Sequence, residues 1–398
     1  MGWKKINSSA SIHRRGLRAA AALNFFIFAV YGISGTYINV YYQSIGQSGI
    51  HIGLINTISP LVGIFAGAIW GILNDRLGKA RRLLAIACLG STMFFLALSS
   101  VKNFYWILLV VAGLALFGSP VTALIDNATL DLLGEHHDRY GRIRIWGSVG
   151  FIVTAWGFGW IIQGFGLRWM FAGYAAMQMG FLLATIGLPD QRVRLSGSVW
   201  AGLGRLTRQP DWMILMATVF LVWVAGNGAF VFLNIYLVTL GAGGLLIGIA
   251  SGIAALAEIP IMFFGGTLIR RLGPSRMLIL SCLLYALRMF LYWVMPSASW
   301  APWIAPFSGF SFAPFWIASV ALANELAPDD LKATAQGLLN STMYLASMLS
   351  GILNGYLYDH LGPSTMFLVL ACISLAATGL YVIGKRWKAK KSPIEFAD

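Results

Sequence analysis

The stretch Gly71-Ile72-Leu73-Asn74-Asp75-Arg76-Leu77-Gly78-Lys79-Ala80-Arg81 is matched at a constant offset of 195 residues by Gly266-Thr267-Leu268-Ile269-Arg270-Arg271-Leu272-Gly273-Pro274-Ser275-Arg276. Each copy closes one long apolar run and opens the next. A second register agrees, because Gly159, Gly166, Met170 and Phe171 recur 196 residues later as Gly355, Gly362, Met366 and Phe367. The chain therefore reads as one unit repeated, and a repeat of this length containing several apolar runs is the arrangement expected of a membrane protein that moves one half against the other.

Composition says what the unit is made of. Of 398 residues, 58% are hydrophobic and 11% charged, outside the usual range for a soluble domain. A helix crossing the hydrocarbon needs ~20 largely apolar residues, since each backbone N–H and C=O must be satisfied within the segment. Apolar runs between charged or Gly/Pro-marked breaks predict spans near 20–42, 51–73, 83–100, 105–132, 145–165 and 169–188, then 213–240, 244–268, 277–296, 304–326, 337–358 and 365–384. The longest polar stretch between them, 189–211, contains Pro189 and Asp190 and divides six from six. The expectation is an all-α membrane protein of twelve transmembrane helices in two pseudo-symmetric bundles. An N-terminal bundle occupies 1–188, a linker 189–211, a C-terminal bundle 212–384 and a tail 385–398.

The net charge of +14 raises the question of nucleic acid, and the placement of the basic residues answers it. With the N-terminus inside, only Lys102 and Arg168 fall outside and Arg288 lies within a span, so 25 of the 28 Lys and Arg residues obey the positive-inside rule. Both termini, the linker and the tail are thus expected in the cytoplasm, in a multi-pass protein of the cell membrane, here the bacterial inner membrane. The first apolar run follows a basic segment but is too long for a cleaved signal, and eleven more follow it. Cys88, Cys282 and Cys372 all fall inside spans, so no disulfide is predicted.

Gly71, Asp75, Arg76, Gly78 and Arg81 resemble the signature loop of the major facilitator superfamily, and the likeness in layout covers essentially the whole chain. That resemblance implies a gating role: Asp75 would accept hydrogen bonds from a neighbouring helix end in one state only, latching the inward side. In the second copy Arg270 stands where the first has Asp75, so any latch there is differently made. A solvated topogenic loop is the alternative.

Charges inside spans cost roughly 2.5–3.5 kcal/mol each on insertion scales, so each calls for a partner or a task. Asp126 lies in span 4, Arg144 opens span 5, Glu258 and Arg288 lie near the middle of spans 8 and 9, and Glu325 ends span 10. The run Tyr140-Gly141-Arg142-Ile143-Arg144-Ile145-Trp146-Gly147 resembles the opening of span 5 in the lactose permease, phenylpropionate permease and nucleoside–proton symporter branch. The resemblance implies that Arg144 pairs with Asp126 and that both hold substrate; a purely structural ion pair is the alternative. Ile261-Met262-Phe263-Phe264 followed 27 positions later by Arg288 is similar to the same branch. It implies proton coupling by Arg288 with Glu258, where a carboxylate keeps or releases its proton according to how near the guanidinium lies; a permanent brace is the alternative. Two departures weigh against a galactoside. Pro306 to Phe312 contains neither His nor Glu, and Phe151 falls where the branch has a sugar-stacking Trp. Glu325, at the cytoplasmic end of its span, is read as a capping or gating carboxylate.

Asn24, Tyr31, Asn39, Asn127, Asn227 and Asn234 are further candidate lining groups, with interhelical hydrogen bonding as the alternative for each. Gly226-Asn227-Gly228 has the strongest claim, since two glycines weaken span 7 locally. The function expected is secondary active transport by alternating access, as proton-coupled uptake of a small polar or amphipathic solute such as a sugar, nucleoside or aromatic acid, by a monomer. A proton-antiporting exporter on the same fold is the first rival, weakened by the absence of Pro between Ile145 and Phe165. A membrane sensor or enzyme is the second. All five His residues lie in tails or span-flanking segments, and no H-E-x-x-H, C-x-x-C or P-loop spacing occurs, so no cofactor, metal or ATP chemistry is expected.

Overall fold

In the computed structural model, residues 2–77, 80–134, 140–188 and 203–391 are described, and among them every regular element is helical. The first half comprises α1 (Gly2–Ser44), α2 (Gly49–Leu77), α3 (Ala80–Leu98), α4 (Phe104–Gly118), α5 (Val121–Leu133), α6 (Tyr140–Phe165) and α7 (Trp169–Thr185). A short α8 (Leu203–Thr207) precedes the second half, which comprises α9 (Pro210–Thr239), α10 (Gly244–Leu272), α11 (Pro274–Trp293), α12 (Ala301–Ile304), α13 (Pro306–Leu326), α14 (Lys332–Leu361) and α15 (Pro363–Lys391). The expected second bundle and tail differ at their edges: α9 starts at Pro210 and α15 runs on to Lys391.

Among the described residues, ten helices are long and apolar enough to cross a membrane, Phe104–Leu133 counting as one crossing. Two more long helices bring the crossings to twelve. One is α7, with only 17 residues. The other is α14, several of whose polar groups are spent inside the protein: Ser350 Oγ donates to Val224 O at 2.9 Å, Ser347 Oγ accepts from Trp223 Nε1 at 2.8 Å, and Asn354 Nδ2 donates to Ser350 O at 2.9 Å. Satisfied in this way, a polar helix is compatible with hydrocarbon around the bundle. The large apolar side chains left exposed, Phe65, Met93, Trp160, Phe263 and Ile383 among them, suit a lipid-facing surface far better than water.

The repeat read in the sequence is carried by backbone geometry. Both α2 and α10 contain 29 residues, and their ends stand 195 apart. The turns before them use Gly46 at φ 88° and Gly241 at φ 85°, and those after α6 and α14 use Gly166 at φ 94° and Gly362 at φ 81°, values that side-chain-bearing residues rarely adopt. A break inside an expected span falls at Ser119 and Pro120, between α4 and α5. Proline cannot donate to the preceding turn, and the helix is interrupted there.

The halves meet through α2 on α14 and α6 on α10, with α1 touching α9. At the end away from the termini one continuous core joins them, including Tyr37, Ile52, Ile162, Ile247 and Leu357. Nearer the termini the first half has a separate core around Leu23, Trp70, Leu84, Leu124 and Phe181. Among the described residues the halves are thus joined at one end and have separate cores at the other.

Candidate functional site

Beneath the seal lies a cavity of about 400 Å³. Gly35 and Thr36 of α1 and Phe151 of α6 line it from the first half. The second half supplies Trp223, Asn227, Phe230 and Asn234 of α9, Ser251 and Glu258 of α10, Tyr285, Arg288 and Tyr292 of α11, and Ser308 and Phe312 of α13. The space is therefore aromatic with one acid and one base. Its roof is tied by Asn234, whose Nδ2 donates to Thr36 O at 2.9 Å, and by Tyr37, whose hydroxyl donates to Ala155 O at 2.8 Å and lies 3.2 Å from Gly244 O.

Arg288 is held at one end of its fork. Its Nη1 donates to Ser308 Oγ at 2.6 Å, and its guanidinium carbon stands 4.8 Å from the Tyr285 ring centroid. The residue is only 5% exposed, yet Nε has no hydrogen-bond partner. Glu258 faces the same space without a direct ion pair to Arg288. The position of Glu258 is fixed by close backbone packing, since a Cβ on Gly309 of α13 would lie 2.6 Å from the Glu258 nitrogen. An uncompensated acid and base in a low-dielectric cavity favour any polar molecule that bridges them.

Of the expected site residues, Glu258, Arg288, Asn227, Asn234 and Phe151 come together in the cavity. Asp126, Arg144, Asn24, Tyr31 and Asn127 are not among its lining residues, and the expected Asp126–Arg144 ion pair is not made. Asp126 instead accepts from the Tyr140 hydroxyl at 2.9 Å. Arg144 lies over the Phe28 ring, 3.9 Å from its centroid, and the Tyr31 hydroxyl is 3.2 Å from Thr122 Oγ1. Phe28 and Tyr31 on α1 and Arg144 on α6 sit one to two helical turns from Gly35 and Phe151, towards the open end. Asn24 is buried and donates to Ala20 O at 3.0 Å, and Asn39 accepts from Asn56 at 2.8 Å; both serve helix packing in this state.

Three further expectations need correction or fall outside the description. The helix α9 is unbroken through Gly226 and Gly228, which instead admit the Tyr285 ring and the Asn354 side chain. Glu325 is exposed at the end of α13. The ion pairs at that end are made by Asp330 with Arg205 at 2.9 Å and by Asp329 with Lys332 at 2.7 Å. The Lys332 hydrogen bond holds the Asp329 carboxyl below the usual range. Of the signature loop, Gly78 lies outside the described residues and Gly71, Asp75 and Arg76 are described only as helical backbone of α2; Arg81 is exposed at the start of α3.

Sequence reasoning missed Trp223, Tyr285, Tyr292 and Ser308. A signal was available for the aromatics: Tyr285 and Tyr292 stand three before and four after Arg288, and Trp223 stands four before Asn227, spacings that share one helical face.

The family model described as "MFS_1 like family" matches residues 17–369. The chain is 28% identical over 374 residues to the uncharacterized transporter YwbF of Bacillus subtilis (strain 168), covering 91% of this chain and 92% of that protein. It is 26% identical over 377 residues to the maltose permease of Geobacillus stearothermophilus, covering 91% and 93%. Its fold matches the crystal structure of the nucleoside transporter NupG with a TM-score of 0.82 at 19% identity, over 93% of this chain and 99% of that one.

Proposed function

The chain belongs to the MFS_1 like family, and on that premise we propose that it is a proton-coupled symporter taking up a small polar or amphipathic solute by alternating access. The observation that carries the proposal is that Glu258 and Arg288 share one cavity between the halves unpaired, with Arg288 Nε unpartnered and aromatic side chains around them. A proton on Glu258 removes the carboxylate's charge, and a solute that engages Arg288 completes its fork. Both bound together cost less than either alone, which is the thermodynamic content of coupling. Aromatic faces at Phe151, Trp223 and Tyr285 suit the ring of a sugar, nucleoside or aromatic acid. The names of the maltose permease and of NupG support the first two classes. Asp126 and Arg144, with Tyr31, Asn127 and Asn24 nearby in α1 and α5, would meet the solute on its way to or from the open end. The signature loop, Gly71 to Arg81, would close that end in the opposite state. The protein acts as a monomer in the bacterial inner membrane with both termini in the cytoplasm.

The test is the external pH of lightly buffered, energy-depleted right-side-out vesicles as sugars, nucleosides and aromatic acids are added in turn. Alkalinisation with one class, lost in Glu258→Gln, is the expected result. Acidification would instead support the antiporting exporter. Radiolabelled uptake with no pH change would overturn proton coupling.

A further inference from the structure

At the sealed end, two helix N-termini are capped by side chains from the opposite half. Asp359, near the end of α14, accepts from Gly49 N at 2.7 Å through Oδ1 and from Ile50 N at 2.8 Å through Oδ2. These are the first two amides of α2, and Ser48 Oγ takes the third, His51 N, at 3.2 Å. On the other side of the seal, Gln163 of α6 accepts through Oε1 from Leu245 N of α10 at 3.1 Å, where the N-cap residue Gly243 supplies no side chain of its own. Asp359 follows Gln163 by 196 residues and Gly244 follows Gly49 by 195. One capping device thus appears twice, charged on one side and neutral on the other.

We infer that Asp359 and Gln163 are positioning residues forming an unequal pair of latches, and that the charge on Asp359 sets how often the sealed end opens. The glycines beside each cap let the backbones approach: a Cβ on Gly355 would lie 2.6 Å from Gly49 O, and one on Gly159 2.8 Å from Gly244 O. That contact is non-directional and nearly alike on the two sides. The caps are directional and unlike. A carboxylate taking two amides at the positive end of a helix dipole is held more strongly than one amide oxygen taking one. Parting the halves at this end breaks both caps at once, so the asymmetry concentrates the barrier on the α2–α14 side. This inference rests on the alternating access proposed above.

The test is a distance distribution between spin labels at Ser100→Cys and Ser299→Cys, both exposed at the sealed end, in lipid nanodiscs with Cys88, Cys282 and Cys372 replaced by Ala. Asp359→Asn is expected to raise the ratio of long to short distances about fivefold, the equivalent of one charge at a helix end. Gln163→Glu is expected to lower it by a similar factor, and the double exchange Asp359→Asn with Gln163→Glu to return it near the native value. A mixture of distances that none of the variants moves, or a double exchange no nearer the native value than Asp359→Asn alone, would overturn the latch. A single short distance in every variant would overturn it together with the alternation it serves.

Discussion

Arg288 and Ser308 show how much chemistry one side chain carries here. The guanidinium is planar, so a donor fixed on Ser308 and a ring contact with Tyr285 leave Nε aimed in a set direction. A lysine has the charge but not the fork. Arg288→Lys is therefore expected to reduce uptake by at least about tenfold at unchanged membrane abundance. Ser308→Ala, which removes one hydrogen bond worth ~1.5–3 kcal/mol to a charged group, should cost roughly ten- to hundredfold. Uptake assays with expression checked by immunoblot decide both, and uptake in Arg288→Lys equal to native would place Arg288 outside the transport path. At this scale Glu258 and Arg288 were legible in the sequence because a charge inside an apolar run stands out. Trp223 and Tyr285 were not, because in a chain 14% aromatic a ring carries little information by itself. The Asp126–Arg144 pairing failed for a local reason: nothing in the apolar run announced that the Tyr140 hydroxyl would take Asp126 and the Phe28 ring Arg144.

Helices place the site by how closely they approach. α13 lies against α10 at Gly309, where a Cβ would fall 2.6 Å from both the Ala257 carbonyl carbon and the Glu258 nitrogen. Backbone cannot yield as a side-chain tip can, so Gly309→Ala must push the two helices apart and move Glu258, with an overpacking cost of ~1–3 kcal/mol. Uptake is expected to fall sharply. Gly157→Ala, at a site with nothing within reach of a Cβ, should leave uptake intact and, by helix propensity, leave stability level or higher. A thermal-shift series on the purified variants separates the two, and equal behaviour would show that the α10–α13 approach does not control the site. The exposed Arg205–Asp330 ion pair belongs to the same scale and matters less. Asp330→Asn should change stability by less than ~1 kcal/mol, an effect that salt further reduces. Element ends were legible wherever Gly or Pro punctuated an apolar run. The integrity of α9 across Gly226 and Gly228 was not, because two glycines in a helix can loosen it or can admit a neighbour, and only the neighbours Tyr285 and Asn354 decide between these.

For the whole molecule, duplication and charge placement act together. The offsets of 195 and 196 recur in helix lengths, in turn glycines and in the two caps of the seal, so the halves are one design used twice in the same orientation. The basic residues then orient that design in the membrane. If the orientation follows the positive-inside rule, the seal faces the outside and the cavity opens towards the cytoplasm. A cysteine at Ser100, beyond α3, should then react with a membrane-impermeant maleimide applied to intact cells. One at Asp329, before α14, should react only after permeabilisation. A cysteine at Ser251, lining the cavity beneath the seal, should be labelled from the cytoplasmic side in inverted vesicles and protected from outside as long as the caps hold. Adding Asp359→Asn should increase its labelling from outside, because each opening of the seal exposes the same cavity to the other compartment. Labelling of Ser251→Cys from outside at the rate of Ser100→Cys in the otherwise native chain would mean that the sealed state is not the resting one, and that the balance between the halves is set at the signature loop instead.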